Sequence, residues 1–143
     1  MKIFLTDDDE DDRLFFLEAL TEIPLETNVK EFKDGVDLMS ELKSESLAPD
    51  IIFLDLQMPL MNGFECLANI RNEKKFHTIP IIIYSTNFNN REILRLQEMG
   101  ASRYLKKPSS YNQLKTLLYT CLRDMREKEM SKGDVTLDFV VPE

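Results

Sequence analysis

Two stretches of the chain, Ile51-Ile52-Phe53-Leu54 and Ile81-Ile82-Ile83-Tyr84, are apolar at every position. A strand with one face in water alternates apolar and polar residues, whereas a strand with no polar position needs cover on both faces, as parallel strands linked by crossover helices have. Three further short runs, 2–5, 28–32 and 103–105, complete a set of five strand candidates. Helix-like segments lie between them near residues 10–22, 35–46, 63–73 and 89–99, and a longer one covers 111–128. This alternation predicts an α/β fold of five βα units. In the last segment Leu114, Leu117, Leu118, Cys121, Leu122 and Met125 recur at helical spacing and form one apolar stripe for the core. No internal repeat or low-complexity linker interrupts the pattern.

Bulk properties narrow the function. A chain of 143 residues with 43% hydrophobic content suits one domain with one real core. The net charge of -8 argues against direct nucleic-acid binding, which relies on clustered Lys and Arg. Cys66 and Cys121 stand alone in apolar helical surroundings, so buried free thiols are expected and a reducing compartment fits. No stretch approaches the length a bilayer requires, so no membrane insertion and a cytoplasmic location are expected.

Open parallel sheets gather their ligands at the carboxyl ends of the strands. There the sequence places Asp7 and Asp8 after the first strand, Asp55 after the third, Ser85 and Thr86 after the fourth, and Lys107 after the fifth. Each of these groups has a task in transferring a phosphoryl group to a carboxylate. Carboxylates hold Mg²⁺, a hard ion that prefers oxygen. Lysine and a hydroxyl meet the phosphoryl oxygens as charge develops on them.

The acidic pair Asp7-Asp8, "LDLQMPLMNG", "IPIIIYST" and "GASRYLKKP" appear in this order, each at the end of a predicted strand. Together they resemble the receiver domain of two-component response regulators, and the resemblance covers Lys2 to about Met125. It implies a flavodoxin-like, doubly wound five-stranded parallel sheet of order 2-1-3-4-5 with five helices. It also implies that Asp55 accepts a phosphoryl group from a sensor histidine kinase or histidine phosphotransfer protein. Asp8, Asp55 and the backbone carbonyl of Gln57 would bind Mg²⁺, or Mn²⁺ in its place, with Asp7 acting through metal-bound water. Lys107 would reach Asp55 at rest and the phosphoryl group afterwards, and its bond to Pro108 would be cis. Ser85 fits the switch hydroxyl and Tyr104 the switch aromatic, whose ring turns inward on phosphorylation. Output to an unknown downstream protein, or homodimerisation, would use the face formed by the fourth helix, fifth strand and fifth helix, including Arg91 and Arg95. Such a protein is a signalling phosphoacceptor that catalyses only its own phosphorylation and slow dephosphorylation.

The acidic run then divides. Asp9 reads as the cap of the first helix, and Glu10, Asp11 and Asp12 as first-turn acids on a solvated face. Lys106 and His77 read as surface residues, Met58 and Pro59 as loop-shaping, and Gly63 as the residue that allows a close turn into the third helix. Thr86 stands where the family has a smaller residue; it could crowd the phosphodonor's path or replace Ser85 as the hydroxyl donor. Residues 1–128 are expected to form the receiver domain, with no output domain following. The extension 129–143 has a β-prone stretch from Val135 to Val141. It could join a sheet edge, cover the last helix, join a second subunit or remain disordered. Two rivals remain: a phosphorylation-independent receiver-like module, and a haloacid-dehalogenase-type phosphatase using Asp7 and Asp9. The second leaves Asp55 and its Met-Pro loop without a role.

Overall fold

The computed structural model describes residues 1–44, 47–87, 89–131 and 138–142. Five parallel strands, β1 (Lys2–Thr6), β2 (Asn28–Phe32), β3 (Ile51–Leu54), β4 (Ile81–Ser85) and β5 (Arg103–Lys106), form one sheet in the order β2-β1-β3-β4-β5. Five helices connect and follow them: α1 (Glu10–Thr21), α2 (Gly35–Lys43), α3 (Gly63–Asn72), α4 (Asn90–Glu98) and α5 (Tyr111–Ser131). This is the expected flavodoxin-like architecture.

The strand alternation sorts the core onto two faces. Ile52, Leu54, Ile81, Ile83 and Tyr104 pack with Leu38, Leu67 and Leu96 of α2, α3 and α4. Ile51, Phe53, Ile82, Tyr84 and Leu105 pack with Phe16 and Leu20 of α1 and with the predicted stripe of α5. The all-apolar strands are central because each buries both faces. Cys66 and Cys121 are buried free thiols, each pushed up to about 12 by burial and so inert.

Helix starts follow local side-chain chemistry. The Asp9 carboxylate accepts the Asp12 N–H, so Asp9 caps α1 as expected. Asn62 and Glu65 form a reciprocal capping box at α3. Helix α2 ends at Lys43, capped at Ser44, short of the expected residue 46; residues 45 and 46 lie outside the described ones. A short 3₁₀ turn at Lys74–Phe76, absent from the sequence expectation, precedes β4.

The described end of the extension joins the sheet edge. The Tyr104 N–H donates to Phe139 O, and the Val141 N–H donates to Tyr104 O, both at 2.8 Å, placing Val140 in a parallel bridge with Tyr104. Phe139 and Val140 pack toward the α2-α3-α4 face and Val141 toward the α1-α5 face. The buried Arg103 guanidinium ties this segment to α5 by donating to Asp138 O and pairing with Asp124 at 3.3 Å. The β5 edge, expected to be part of an open output face, is therefore covered along Tyr104, because an unpaired edge amide gains a partner there. Residues 135–137 of the β-prone stretch lie outside the described residues.

Candidate functional site

Strands β1, β3, β4 and β5 each deliver one part of the site where they end. The β1 ladder carries into Asp7, whose N–H donates to Phe32 O, and the β3 ladder carries into Asp55, whose N–H donates to Thr6 O. The two carboxylates thus stand side by side on adjacent strands. Both are buried, and Asp8 beside them is exposed. One oxygen from each of Asp7, Asp8 and Asp55 lies within 4.8 Å of the others. Gly63 closes the far side of the loop after β3: its N–H donates to Leu56 O, and a Cβ there would lie 2.3 Å from Asp55 O. The glycine expected to permit a tight turn is thus required by the backbone of Asp55 itself. Leu60 in the same loop takes a left-handed φ of 67°.

Lys107 enters from β5, where its N–H donates to Ser85 O. Its ammonium donates to Asp7 Oδ2 at 2.7 Å and to Asp12 Oδ2 at 2.8 Å, and lies 3.8 Å from Asp55 Oδ2. It also stands 5.1 Å from the centre of the Tyr84 ring. The expected reach toward Asp55 is present as an ion pair, but both hydrogen bonds go elsewhere. Asp12 is the residue that the sequence reading missed, assigned there to a solvated face. A signal for it existed: Asp12, Phe16 and Leu20 lie four apart on α1, and Phe16 and Leu20 are buried, so Asp12 continues the inward stripe to the sheet's carboxyl rim. The Lys107–Pro108 bond is trans, against the cis form expected; proline's tertiary amide holds the two forms close in energy, and the loop here takes the commoner one.

Charge at the site is out of balance. Burial pushes the Asp55 carboxyl up to about 7, with the Asp7 and Asp8 charges adding to the shift and Lys107 opposing it. Burial also raises Asp7, against its hydrogen bonds from Lys107 and Asp9. For Lys107, burial works against the charged form, but the bonds to Asp12 and Asp7 outweigh it and raise its pKa. Three clustered carboxylates that one lysine does not neutralise suit a hard, oxygen-preferring dication.

Ser85 ends β4 almost fully buried, accepts the Asn87 N–H at 3.3 Å, and hydrogen-bonds Tyr104. Thr86 is exposed and lines a cleft with Asp12, Tyr84 and Lys107, so of the two hydroxyls Ser85 is the one turned inward. Tyr104 is buried, with its hydroxyl donating to Asn87 O. Its ring lies inward in this structure and does not join an exposed face. Gln57 is exposed in the loop after Asp55; Lys106 and His77 are exposed, as expected.

The family model described as the response regulator receiver domain matches residues 3–119. The chain is 31% identical over 119 residues to a chemotaxis protein CheY homolog of Campylobacter jejuni, covering 82% of this chain and 89% of that protein. It is 28% identical over 116 residues to the sensor histidine kinase CheAY of Helicobacter pylori, covering 81% of this chain and 14% of that protein. The solved structure of the phosphorylated cyanobacterial phytochrome response regulator RcpA superposes with a TM-score of 0.78 at 27% identity, covering 95% of this chain and 98% of that one. The Mn²⁺-bound form of response regulator Rcp1 shares the fold, with a TM-score of 0.75 at 24% identity over 96% of this chain and 98% of that one.

Proposed function

We propose, starting from the fact that this chain belongs to the response regulator receiver-domain family, that Asp55 is its phosphoacceptor and that residues around it divide the remaining work. The observation that carries this reading is the meeting of Asp7, Asp8 and Asp55 on one rim, with the Lys107 ammonium 3.8 Å from Asp55. In the transfer, an ionised Asp55 oxygen attacks the phosphorus of a phosphohistidine on a histidine kinase or phosphotransfer protein. The P–O bond forms, the P–N bond breaks, and the imidazole leaves with the bonding pair and takes up a proton.

Asp8, Asp55 and the Gln57 carbonyl would hold Mg²⁺ directly, with Asp7 acting through water. When bound there, such an ion would supply charge neutralisation to the phosphoryl oxygens and would favour the ionised form of Asp55. Lys107 neutralises a further phosphoryl oxygen, and the Ser85 hydroxyl donates to another. Movement of Ser85 would be sensed by Tyr104, its hydrogen-bond partner, and would shift the population of the β4–α4 loop. Because Tyr104 also carries the bridge to Val140, this reading connects the site to the segment covering β5. The downstream contact would lie on the α4-β5-α5 surface, and the protein would work in the cytoplasm as a signalling phosphoacceptor, not as an enzyme acting on a separate substrate.

Intact-protein mass after incubation with acetyl phosphate and Mg²⁺ tests the assignment. One phosphoryl adduct that requires Mg²⁺ and is missing from Asp55→Asn is the expected result. No adduct, with a promiscuous histidine kinase also failing as donor, would leave a receiver-like module that works without phosphorylation. An adduct lost in Asp7→Asn but kept in Asp55→Asn would point to the phosphatase-type reading.

A further inference from the structure

A lysine ammonium has three donors and no acceptor, so its orientation is set by the acceptors around it. For Lys107 two donors are committed, to Asp7 at 2.7 Å and to Asp12 at 2.8 Å, while Asp55 stays beyond hydrogen-bond reach at 3.8 Å. The two anchors come from different elements, Asp7 from the end of β1 and Asp12 from the first turn of α1. The first turn of α1 is itself held in place, because Asp9 caps it and Phe16, one turn further on, is buried against Phe53 and Tyr84. Asp12 is therefore a fixed acceptor on a rigid element, and it holds the ammonium at 2.8 Å while Asp55 stands at 3.8 Å.

We infer that Asp12 is a positioning residue for phosphoryl transfer: it holds the Lys107 ammonium off Asp55, leaving the nucleophilic oxygen uncovered and the third lysine donor available to a phosphoryl oxygen. The inference rests on Asp55 being the phosphoacceptor. Without Asp12 the ammonium keeps one anchor and has Asp55 as its nearest remaining carboxylate, so it closes onto the nucleophile. An Asp55 oxygen that accepts a direct lysine hydrogen bond is less nucleophilic and must give up that bond before it attacks. The acidic residue next in sequence, Asp11, is exposed and serves as an internal control for charge alone.

The test is the rate of adduct formation with acetyl phosphate and Mg²⁺, followed by intact-protein mass, for the full chain and for Asp12→Ala, Asp12→Glu, Asp11→Ala and Asp55→Asn. Asp12→Ala is expected to react roughly three- to tenfold more slowly, the size of one charge-assisted hydrogen bond reduced by partial solvent screening. Asp12→Glu, which restores a carboxylate, recovers most of the rate, and Asp11→Ala reacts like the unaltered chain. A merely structural role would not show this rescue. Should Asp12→Ala fail to fold, Asp12→Leu, similar in shape to aspartate but with no acceptor for the ammonium, carries the same comparison. An unaltered rate without the Asp12 carboxylate, an equal loss in Asp11→Ala, or no rescue by glutamate would each overturn the inference while Asp55→Asn stays unmodified. An adduct on Asp55→Asn would overturn the phosphoacceptor assignment, and this inference with it.

Discussion

At the scale of single residues, the six acids from Asp7 to Asp12 have five different fates. Asp7 is buried against Lys107, Asp8 faces the site from solvent, Asp9 caps α1, and Asp12 shares the lysine, while Glu10 and Asp11 remain exposed beside the helix's positive end. Composition alone could not separate them, because identical side chains differ here only in the direction the backbone aims them. Gly63 shows the opposite case, a residue whose type states its constraint. A methyl group at this position would overlap Asp55 O at 2.3 Å and Leu56 Cα at 2.7 Å, and both are main-chain atoms that cannot swing aside. Gly63→Ala is therefore expected to cost roughly 1–3 kcal/mol, as overpacking does. It should also slow phosphorylation by displacing Asp55. Thermal melts and adduct rates measured on the same sample check both effects; an unchanged melting temperature would show that the loop has slack.

At the scale of elements, the segment 138–142 changes the most. A β-prone pattern can state that a segment is able to pair, but not with which edge, and the available partners included another subunit. The choice of β5 follows from chain path: α5 returns the chain to the end of the sheet remote from Asp55, where a parallel strand on the β5 edge must begin. There the Arg103 guanidinium, nearly fully buried, receives the segment through Asp138 O. Removing residues 138–143 exposes the Tyr104 amide and the apolar surface that covers Val141. The expected destabilisation is about 1–3 kcal/mol, the burial of one valine plus partly covered neighbours. Hydrogen exchange gives the sharper check, since the Tyr104 N–H donates to Phe139 O and should lose protection in the shortened chain while central β3 amides keep theirs. Equal protection of Tyr104 in both chains would mean that the segment is not docked in solution.

At the scale of the whole molecule, the site exists because strands β1, β3, β4 and β5, distant in sequence, end on one rim, and this convergence has a thermodynamic signature. Asp55 is raised to about 7, chiefly by burial, above its unfolded value near 3.9. The fold therefore prefers the protonated form. The resulting stability is fully present below about pH 4 and is lost as pH rises through about 7. Without divalent ions, Asp55→Asn is thus expected to gain stability over the unaltered chain as pH rises through this window, reaching on the order of 4 kcal/mol above it. Mg²⁺ should raise the melting temperature of the unaltered chain more at pH 8 than at pH 5, because protons compete with the ion for the carboxylates. Melting curves across pH, with chelator and with Mg²⁺, measure both differences; a pH-independent gap between the two chains would contradict the charge imbalance. By itself, the sequence determined the βα order, the two central strands, the cap at Asp9 and the residues at the strand ends, because hydrophobic period, capping and turn chemistry are local and act over a few neighbouring positions. Only the tertiary structure decided that Lys107 bonds Asp7 and Asp12 in preference to Asp55, that Tyr104 lies inward, and that residues 139–141 cover β5. Those outcomes depend on distances between elements far apart in the chain, where several acceptors of the same chemistry compete and packing geometry selects among them.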